Sequence, residues 1–138
     1  MKDLVFDLQS EDPNVVELKN GIEMCLDWLL KGAPNNHSEI EGKISFDMDY
    51  WDTPSDIVHN KKTHHCGTVM CIGGFITQVT SLKYLERLSH SNPYGPEWDT
   101  LDYLFRPYKV FKNKDWSITK TIKVLRHFLA TNKINWDL

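Results

Sequence analysis

A short segment in the middle of the chain gathers the residue types that most often carry out chemistry. Residues 64–75 hold two of the three cysteines, Cys66 and Cys71, and two of the six histidines, His64 and His65. This segment leads from a polar, basic loop into an apolar stretch. A cysteine at such a step can act as a nucleophile, as a metal ligand or as part of the core, and each role implies a different function.

The first interpretation is a thiol enzyme that uses Cys66. The pattern predicts that a helix begins near this residue, and a helix N-terminus beside basic side chains lowers the pKa of a thiol. Cys66-Gly67-Thr68 is superficially similar to the nucleophile helix of papain-type enzymes, but those enzymes place their histidine on a later strand. Here His90 and His127 lie in or beside predicted helices. An enzyme would therefore have to pair Cys66 with His64.

The second interpretation is a zinc site. Zinc takes four nitrogen or sulfur ligands in a tetrahedron. The candidate ligands lie within thirteen positions, and they are His59, His64 or His65, Cys66 and Cys71. The four-residue gap between the cysteines is wide for such a site, and no second pair of cysteines completes it.

The third interpretation, which we favour, is structural. Free cysteine is among the most frequently buried residue types, and Cys71 precedes an apolar run that begins at Ile72. The basic loop could still bind an anion or phosphate, because Lys61, Lys62 and His65 would lie beside the backbone N–H groups at the predicted helix start. Solvated lysines are the more common outcome for a loop of this composition.

The remaining elements follow from hydrophobic periodicity and capping residues. Asp12 and Pro13 predict the start of a helix that ends before Gly32 and buries Cys25 on its apolar face. Alternation over residues 43–49 predicts a short strand. Further helices are predicted from Ile72, from Pro96, and after a cap at Asp115 or Ser117. The sequence therefore predicts a mainly α fold of four to five helices with one or two short strands, in a single compact domain spanning residues 1–138.

This arrangement resembles a group of small uncharacterised proteins of bacteria and phages. Their shared segment reads His-x-Cys-Gly-Thr-x-x-Cys-(Ile/Leu)-(Ala/Gly)-Gly, preceded by Phe-x-Met-x-x-Trp and followed by a Leu-Phe pair and a late Trp. The matching residues are Phe46, Met48, Trp51, His64, Cys66, Gly67, Thr68, Cys71, Ile72, Gly74, Leu104, Phe105 and Trp116. Phe75 departs from the Trp or His that is usual at its position. The resemblance implies a shared fold and no known activity.

Composition narrows the class of protein. A chain of 138 residues with 41% hydrophobic content can bury one core. Its net charge of −3 argues against direct binding of nucleic acid, and no apolar run is long enough to cross a membrane. Three cysteines without an export signal predict a reducing cytoplasm, and the Lys, Asn and Ile content is typical of a phage or low-GC bacterial source.

Aromatic residues provide the main indication of function. The chain has more of them than a small core can hide, and tyrosine and tryptophan commonly anchor protein interfaces. Tyr94, Trp98 and Tyr108 surround a turn-rich region and are the predicted binding residues. The acidic stretch 47–56 would suit a basic partner. We therefore expect a non-enzymatic binding or inhibitory protein without a cofactor, phage-encoded and acting on a host protein, and the sequence does not indicate its oligomeric state.

Overall fold

The computed structural model describes residues 4–36, 38–40, 43–48, 53–54, 67–88 and 92–138. Within these ranges the helices are α1 (Pro13–Leu30), α2 (Ile72–Val79), α3 (Asp102–Phe105) and α4 (Ile118–Thr131). The strands are β1 (Leu4–Val5), β2 (Lys43–Phe46), β3 (Thr53–Pro54), β4 (Gly67–Met70) and β5 (Lys133–Ile134). The predicted mainly α class, with short strands, is confirmed.

Helix α1 begins and ends where its sequence signals predict. The Asp12 carboxylate accepts a hydrogen bond from the backbone N–H of Asn14 at 2.8 Å, and Pro13 occupies the first turn. Gly32 follows the helix with a φ of +84°, a left-handed conformation that favours glycine. Cys25 is fully buried on the inner face, as predicted.

Helices α1 and α2 pack closely against each other and form the centre of the core. A Cβ atom added at Gly21 would lie 2.9 Å from methyl carbons of both Ile76 and Thr80, so the approach of the two helices requires glycine. One end of this contact is closed by the stacked rings of Trp28 and Phe75, whose centroids are 4.8 Å apart. This packing places the end of α2 against the middle of α1 and Phe75 against the last turns of α1.

Two small sheets join distant parts of the chain. In the first, β4 lies between β2, with which it is parallel, and β3, with which it is antiparallel. In the second, β1 pairs with β5 antiparallel, so that Leu4 lies opposite Ile134. The described residues therefore contain more strands than the one or two expected. Strands of two to four residues are too short to produce a clear alternation in the sequence.

The chain between α2 and α4 is built from short helical turns. Turns of 3-10 helix occupy Leu85–Arg87, Pro96–Leu101 and Pro107–Lys109, and α3 follows the second of them directly. The chain after α3 therefore continues as a helical turn. Proline at position 107 fixes its own φ at a value compatible with such a turn.

The C-terminal region closes the core. Ser117 caps α4 by accepting from the backbone N–H of Lys120, and Asn132 ends the helix in a left-handed conformation with φ of 63°. Trp136 is fully buried, and its indole N–H donates to the backbone carbonyl of Leu104 at 3.2 Å. The C-terminal tail therefore packs back onto the body of the protein.

Candidate functional site

Most of the residues that were predicted to bind metal or anions or to act as a nucleophile lie outside the described residues. This applies to the thiol pair, to most of the zinc ligands and to the basic loop, so those predictions remain predictions. The residues concerned are His59, Lys61, Lys62, His64, His65 and Cys66. Of the carboxylates predicted at 47–56 to face a basic partner, Asp47 is the one that the structure describes.

The position of the helix start corrects one premise of the enzyme hypothesis. Residues 67–70, which follow Cys66 directly, form strand β4, paired with β2 in a parallel ladder. Helix α2 begins at Ile72, and Cys71 is its N-terminal capping residue. The expectation that Cys66 lies at a helix N-terminus is therefore wrong, because Thr68 and Val69 are β-branched and pair as a strand before the helix begins.

Cys71 itself is a packed thiol. Its side chain is 2% exposed, and burial raises its pKa even though the backbone N–H groups of Gly74 and Gly73 offset part of that effect. Burial also raises the pKa of Cys25, which is fully enclosed, and the nearby Cys71 sulfur adds to this increase. A thiol with a raised pKa stays protonated at neutral pH and is a poor nucleophile and a poor metal ligand. The burial predicted for both residues is confirmed.

The described residues do not form a cluster that could hold a metal. No group of three or more histidine, cysteine, aspartate or glutamate side chains comes together within them. Cys71 is thus the one proposed zinc ligand whose surroundings are described, and it faces the core.

Trp98, predicted as a surface anchor, belongs to the core. It is 1% exposed, and its ring lies edge-on to Phe6 with centroids 5.3 Å apart and beside Tyr94 at 4.7 Å. The prediction that Trp98 contacts a partner through an exposed ring is wrong. The 3-10 turn that starts at Pro96 directs this side chain towards the N-terminal segment, a long-range contact that local sequence does not reveal.

The other two predicted binding residues, Tyr94 and Tyr108, differ in how exposed they are. Tyr108 is 60% exposed and therefore available to a partner. Tyr94 is half-buried, because one face of its ring covers Trp98. Asn92 fixes the loop around Tyr94 by accepting from the backbone N–H groups of Tyr94 and Gly95, at 2.9 and 3.0 Å.

An aromatic cluster that the sequence analysis missed surrounds Tyr94. Tyr84 is 45% exposed, with its ring centroid 6.4 Å from that of Tyr94, and its backbone N–H donates to the Tyr94 hydroxyl. The Arg87 guanidinium carbon lies 5.2 Å from the centroid of the Tyr84 ring, within the range of a cation–π interaction. We call Tyr84, Arg87 and Tyr94 the aromatic cluster. The spacing of Tyr84 and Arg87 was the signal available in the sequence.

A cavity of about 240 Å³ lies between the N-terminal segment, the start of α1 and the turn that carries Trp98. Buried side chains of Phe6, Val15 and Trp98 line it. The exposed residues that line it include three carboxylates and one apolar side chain, and they are Asp7, Asp12, Glu97 and Val5. We call this feature the acidic cavity. No lysine or arginine is among the residues lining it.

Comparisons with known proteins give no family. No protein-family model matches the chain, and neither the curated proteins nor the solved structures searched gave a match. Among the described helices, none is both long enough and apolar enough to cross a membrane.

Proposed function

We propose that this chain is a non-enzymatic protein-binding domain that acts through exposed aromatic side chains. The observation that carries the proposal is the aromatic cluster. Tyr84 is largely accessible although it is held in place by its neighbours, which is the combination that an interface anchor requires. Tyrosine and arginine are also enriched at the centres of protein interfaces.

The cluster is prearranged for binding. Arg87 lies over the Tyr84 ring, and the Tyr94 hydroxyl accepts from the Tyr84 backbone. Tyr94 in turn rests on the buried ring of Trp98, so the cluster is supported by the core. A surface that is ordered before it binds loses less conformational entropy on association, and more of the contact energy then appears as affinity.

The two described cysteines belong to the core, and neither supplies a reactive thiol. Cys25 and Cys71 are both buried with raised pKa values, which suits packing. The composition supports a phage or low-GC bacterial source. On this proposal the partner is a protein of the host cytoplasm, and the domain acts by occupying a surface of that protein.

The proposal is tested by site-specific photo-crosslinking in low-GC bacterial cells that serve as the host. A benzophenone amino acid replaces Tyr84 in one variant and Thr119, an exposed residue of α4, in a control variant. We expect a discrete covalent adduct with a second protein at position 84 and none at position 119. Adding Arg87→Ala and Tyr94→Ala to the position-84 variant should reduce the adduct, because the cluster loses its support.

Two outcomes would contradict the proposal. One is the absence of an adduct at position 84 in a folded protein, together with its absence when the crosslinker replaces the exposed Tyr108. The other is equal, diffuse labelling at positions 84 and 119, which would indicate random collision.

A further inference from the structure

We propose that the acidic cavity binds a lysine or arginine side chain presented by the protein partner. This inference rests on the proposed function and adds the chemistry of the partner. Three features of the cavity carry it, namely an apolar floor, a rim of carboxylates and a buried hydrogen-bond donor without an acceptor.

The floor of the cavity suits the carbon chain of a long basic residue. Val5 is 56% exposed and offers most of the apolar surface that a ligand could cover, whereas Phe6, Val15 and Trp98 behind it are each at most 5% exposed. Lysine and arginine bury their methylene groups along apolar surface while their charged ends stay near polar groups. Pockets that enclose whole small ligands usually measure roughly 300–1,000 Å³. At about 240 Å³ the acidic cavity is closer in size to a single side chain.

The rim supplies the opposite charge. Asp7, Asp12 and Glu97 are all exposed, and none of them forms a salt bridge with another described residue. Asp7 and Asp12 each accept one hydrogen bond from a backbone N–H two residues later, and these bonds hold their carboxylates in position. A guanidinium or ammonium group entering here would meet three carboxylates and no competing cation from the cavity lining.

Two other cavities lined by described residues differ in this respect. One of about 370 Å³ pairs Asp27 with Lys31 at 2.9 Å, so that a cation of the protein already occupies its acidic part. The other, of about 400 Å³, includes Lys19 together with Glu11 and Glu23. The acidic cavity lacks such an internal cation among its lining residues.

The third feature is the indole N–H of Trp98. The corresponding groups of Trp28 and Trp136 each donate to a backbone carbonyl, at 2.8 and 3.2 Å. Trp98 is 1% exposed and is one of the lining residues, and its N–H forms no hydrogen bond with a described residue. The rings of Phe6 and Tyr94 beside it offer only weak π acceptors. Because a buried donor without a partner is costly, a carbonyl of a bound peptide would relieve it.

These features together favour a peptide segment over an isolated cation. A metal ion would use the carboxylates but would leave the apolar floor and the indole donor without a role. A segment in which arginine is flanked by apolar residues uses all three features. Its guanidinium meets the rim, its methylenes cover the floor, an apolar neighbour contacts Val5, and its backbone carbonyl provides an acceptor for Trp98.

The test uses the whole chain labelled with ¹⁵N and a defined probe, acetyl-Val-Arg-Val-amide. We expect saturable shifts of the backbone resonances of residues 5–12 and 97–98, with an affinity that falls as salt is added. The same peptide with citrulline in place of arginine keeps the shape and loses the charge. It should bind at least tenfold more weakly.

Variants of the protein provide the matched control. Asp7→Asn, Asp12→Asn and Glu97→Gln together remove the three charges while keeping oxygen acceptors, so the Asp12 cap is retained. This triple variant should lose at least tenfold in affinity. The control triple Asp27→Asn, Glu86→Gln and Asp137→Asn changes the net charge equally on other parts of the surface. It should bind the arginine peptide as the parent does.

Three results would overturn the inference. The first is no shift at residues 5–12 in the folded parent, and the second is equal binding of the arginine and citrulline peptides. The third is a concentration-dependent shift of the same residues without peptide, which would assign the cavity to a second copy of this chain. If crosslinking at Tyr84 still gives an adduct in any of these cases, the proposed function stands and only the partner chemistry fails. If crosslinking fails and the peptide binds, the domain binds basic segments through the cavity alone.

Discussion

The acidic cavity and the exposed face of α4 carry opposite charges and are built in different ways. Residues 103–138 contain eight lysines and arginines and two acidic residues, whereas the preceding 102 residues contain eight basic and seventeen acidic residues. On α4, Lys123 and Arg126 are exposed, and neither forms a salt bridge with another described residue. At the other end of the chain, the three rim carboxylates surround a concave apolar floor.

This difference shows what charge contributes to recognition in each place. The basic residues of α4 lie on a convex helix surface in water, where an isolated charge contributes little and mainly affects solubility and encounter. The rim carboxylates lie next to buried apolar side chains, where charge, shape and an unused donor coincide. Concavity therefore distinguishes the candidate site more clearly than charge does.

The largest expected effect on stability comes from replacing Trp98, which lies in the floor of the acidic cavity. Trp98→Ala should lower the free energy of unfolding by about 3–5 kcal/mol, because it removes a large buried side chain that packs against Phe6 and Tyr94. Lys123→Ala combined with Arg126→Ala should change it by less than about 0.5 kcal/mol per substitution. Denaturant unfolding followed by circular dichroism measures both. A loss below about 1 kcal/mol for Trp98→Ala would contradict its place in the core.

A smaller effect is expected at the rim, where Asp12 also caps α1. Asp12→Ala should cost about 1 kcal/mol, because the N–H of Asn14 loses its acceptor. Asp12→Asn should be nearly neutral for stability, since asparagine caps equally well. Both substitutions should weaken binding of the arginine peptide, and thermal unfolding separates the two effects. Equal loss of stability in both variants would mean that charge, and not capping, is what Asp12 provides to the fold.

The smallest expected effect is on the pH dependence of stability. It involves one carboxylate from each part of the chain, Glu17 and Asp115. Hydrogen bonds from the Ser81 hydroxyl and backbone lower the pKa of Glu17 below its ordinary value of 4.5. The bonds from Ser117 similarly lower the pKa of Asp115 below 3.8. Each contribution to stability is complete above the unfolded-state pKa and is lost as the pH falls through the lower, folded-state value.

Glu17 should affect acid unfolding more than Asp115 does. Its bond to Ser81 spans 64 residues and joins α1 to the chain after α2, whereas the Asp115 bond spans two residues and can also form in the unfolded chain. We expect Glu17→Gln to be less stable than the parent at neutral pH and equal to it at a pH below the folded-state pKa. Asp115→Asn should show a smaller difference. Urea unfolding between pH 2 and 7 measures the difference in free energy of unfolding between each variant and the parent. A difference for Glu17→Gln that does not change with pH would contradict this account.

The sequence predicted the elements that have local signals. Asp12, Pro13 and Gly32 define α1, and Ser117 defines the start of α4, because capping depends on a few neighbouring residues. The core position of Cys25 followed from the three- and four-residue spacing of apolar side chains.

The candidate site could not be predicted in the same way. The acidic cavity joins residues near position 7 to Trp98, and its shape depends on a 3-10 turn and on the pairing of β1 with β5. Trp98 was predicted as a surface anchor because tryptophan commonly anchors interfaces, although its three- and four-residue spacing with Leu101 and Phe105 is that of a buried helical face. Apolar periodicity predicted a helix from Ile72, where α2 begins, but the thiol-enzyme interpretation put a helix start near Cys66, because the strand between the two positions is only four residues long.

The central claim is that the acidic cavity receives a basic peptide side chain, and the indole N–H resonance of Trp98 tests it most directly. In the free protein this N–H forms no hydrogen bond with a described residue, whereas a bound peptide carbonyl would provide an acceptor. We predict that acetyl-Val-Arg-Val-amide moves this proton resonance downfield and slows its exchange with solvent, while those of Trp28 and Trp136 stay unchanged. An unchanged Trp98 resonance at peptide concentrations that saturate shifts elsewhere on the protein would contradict the account.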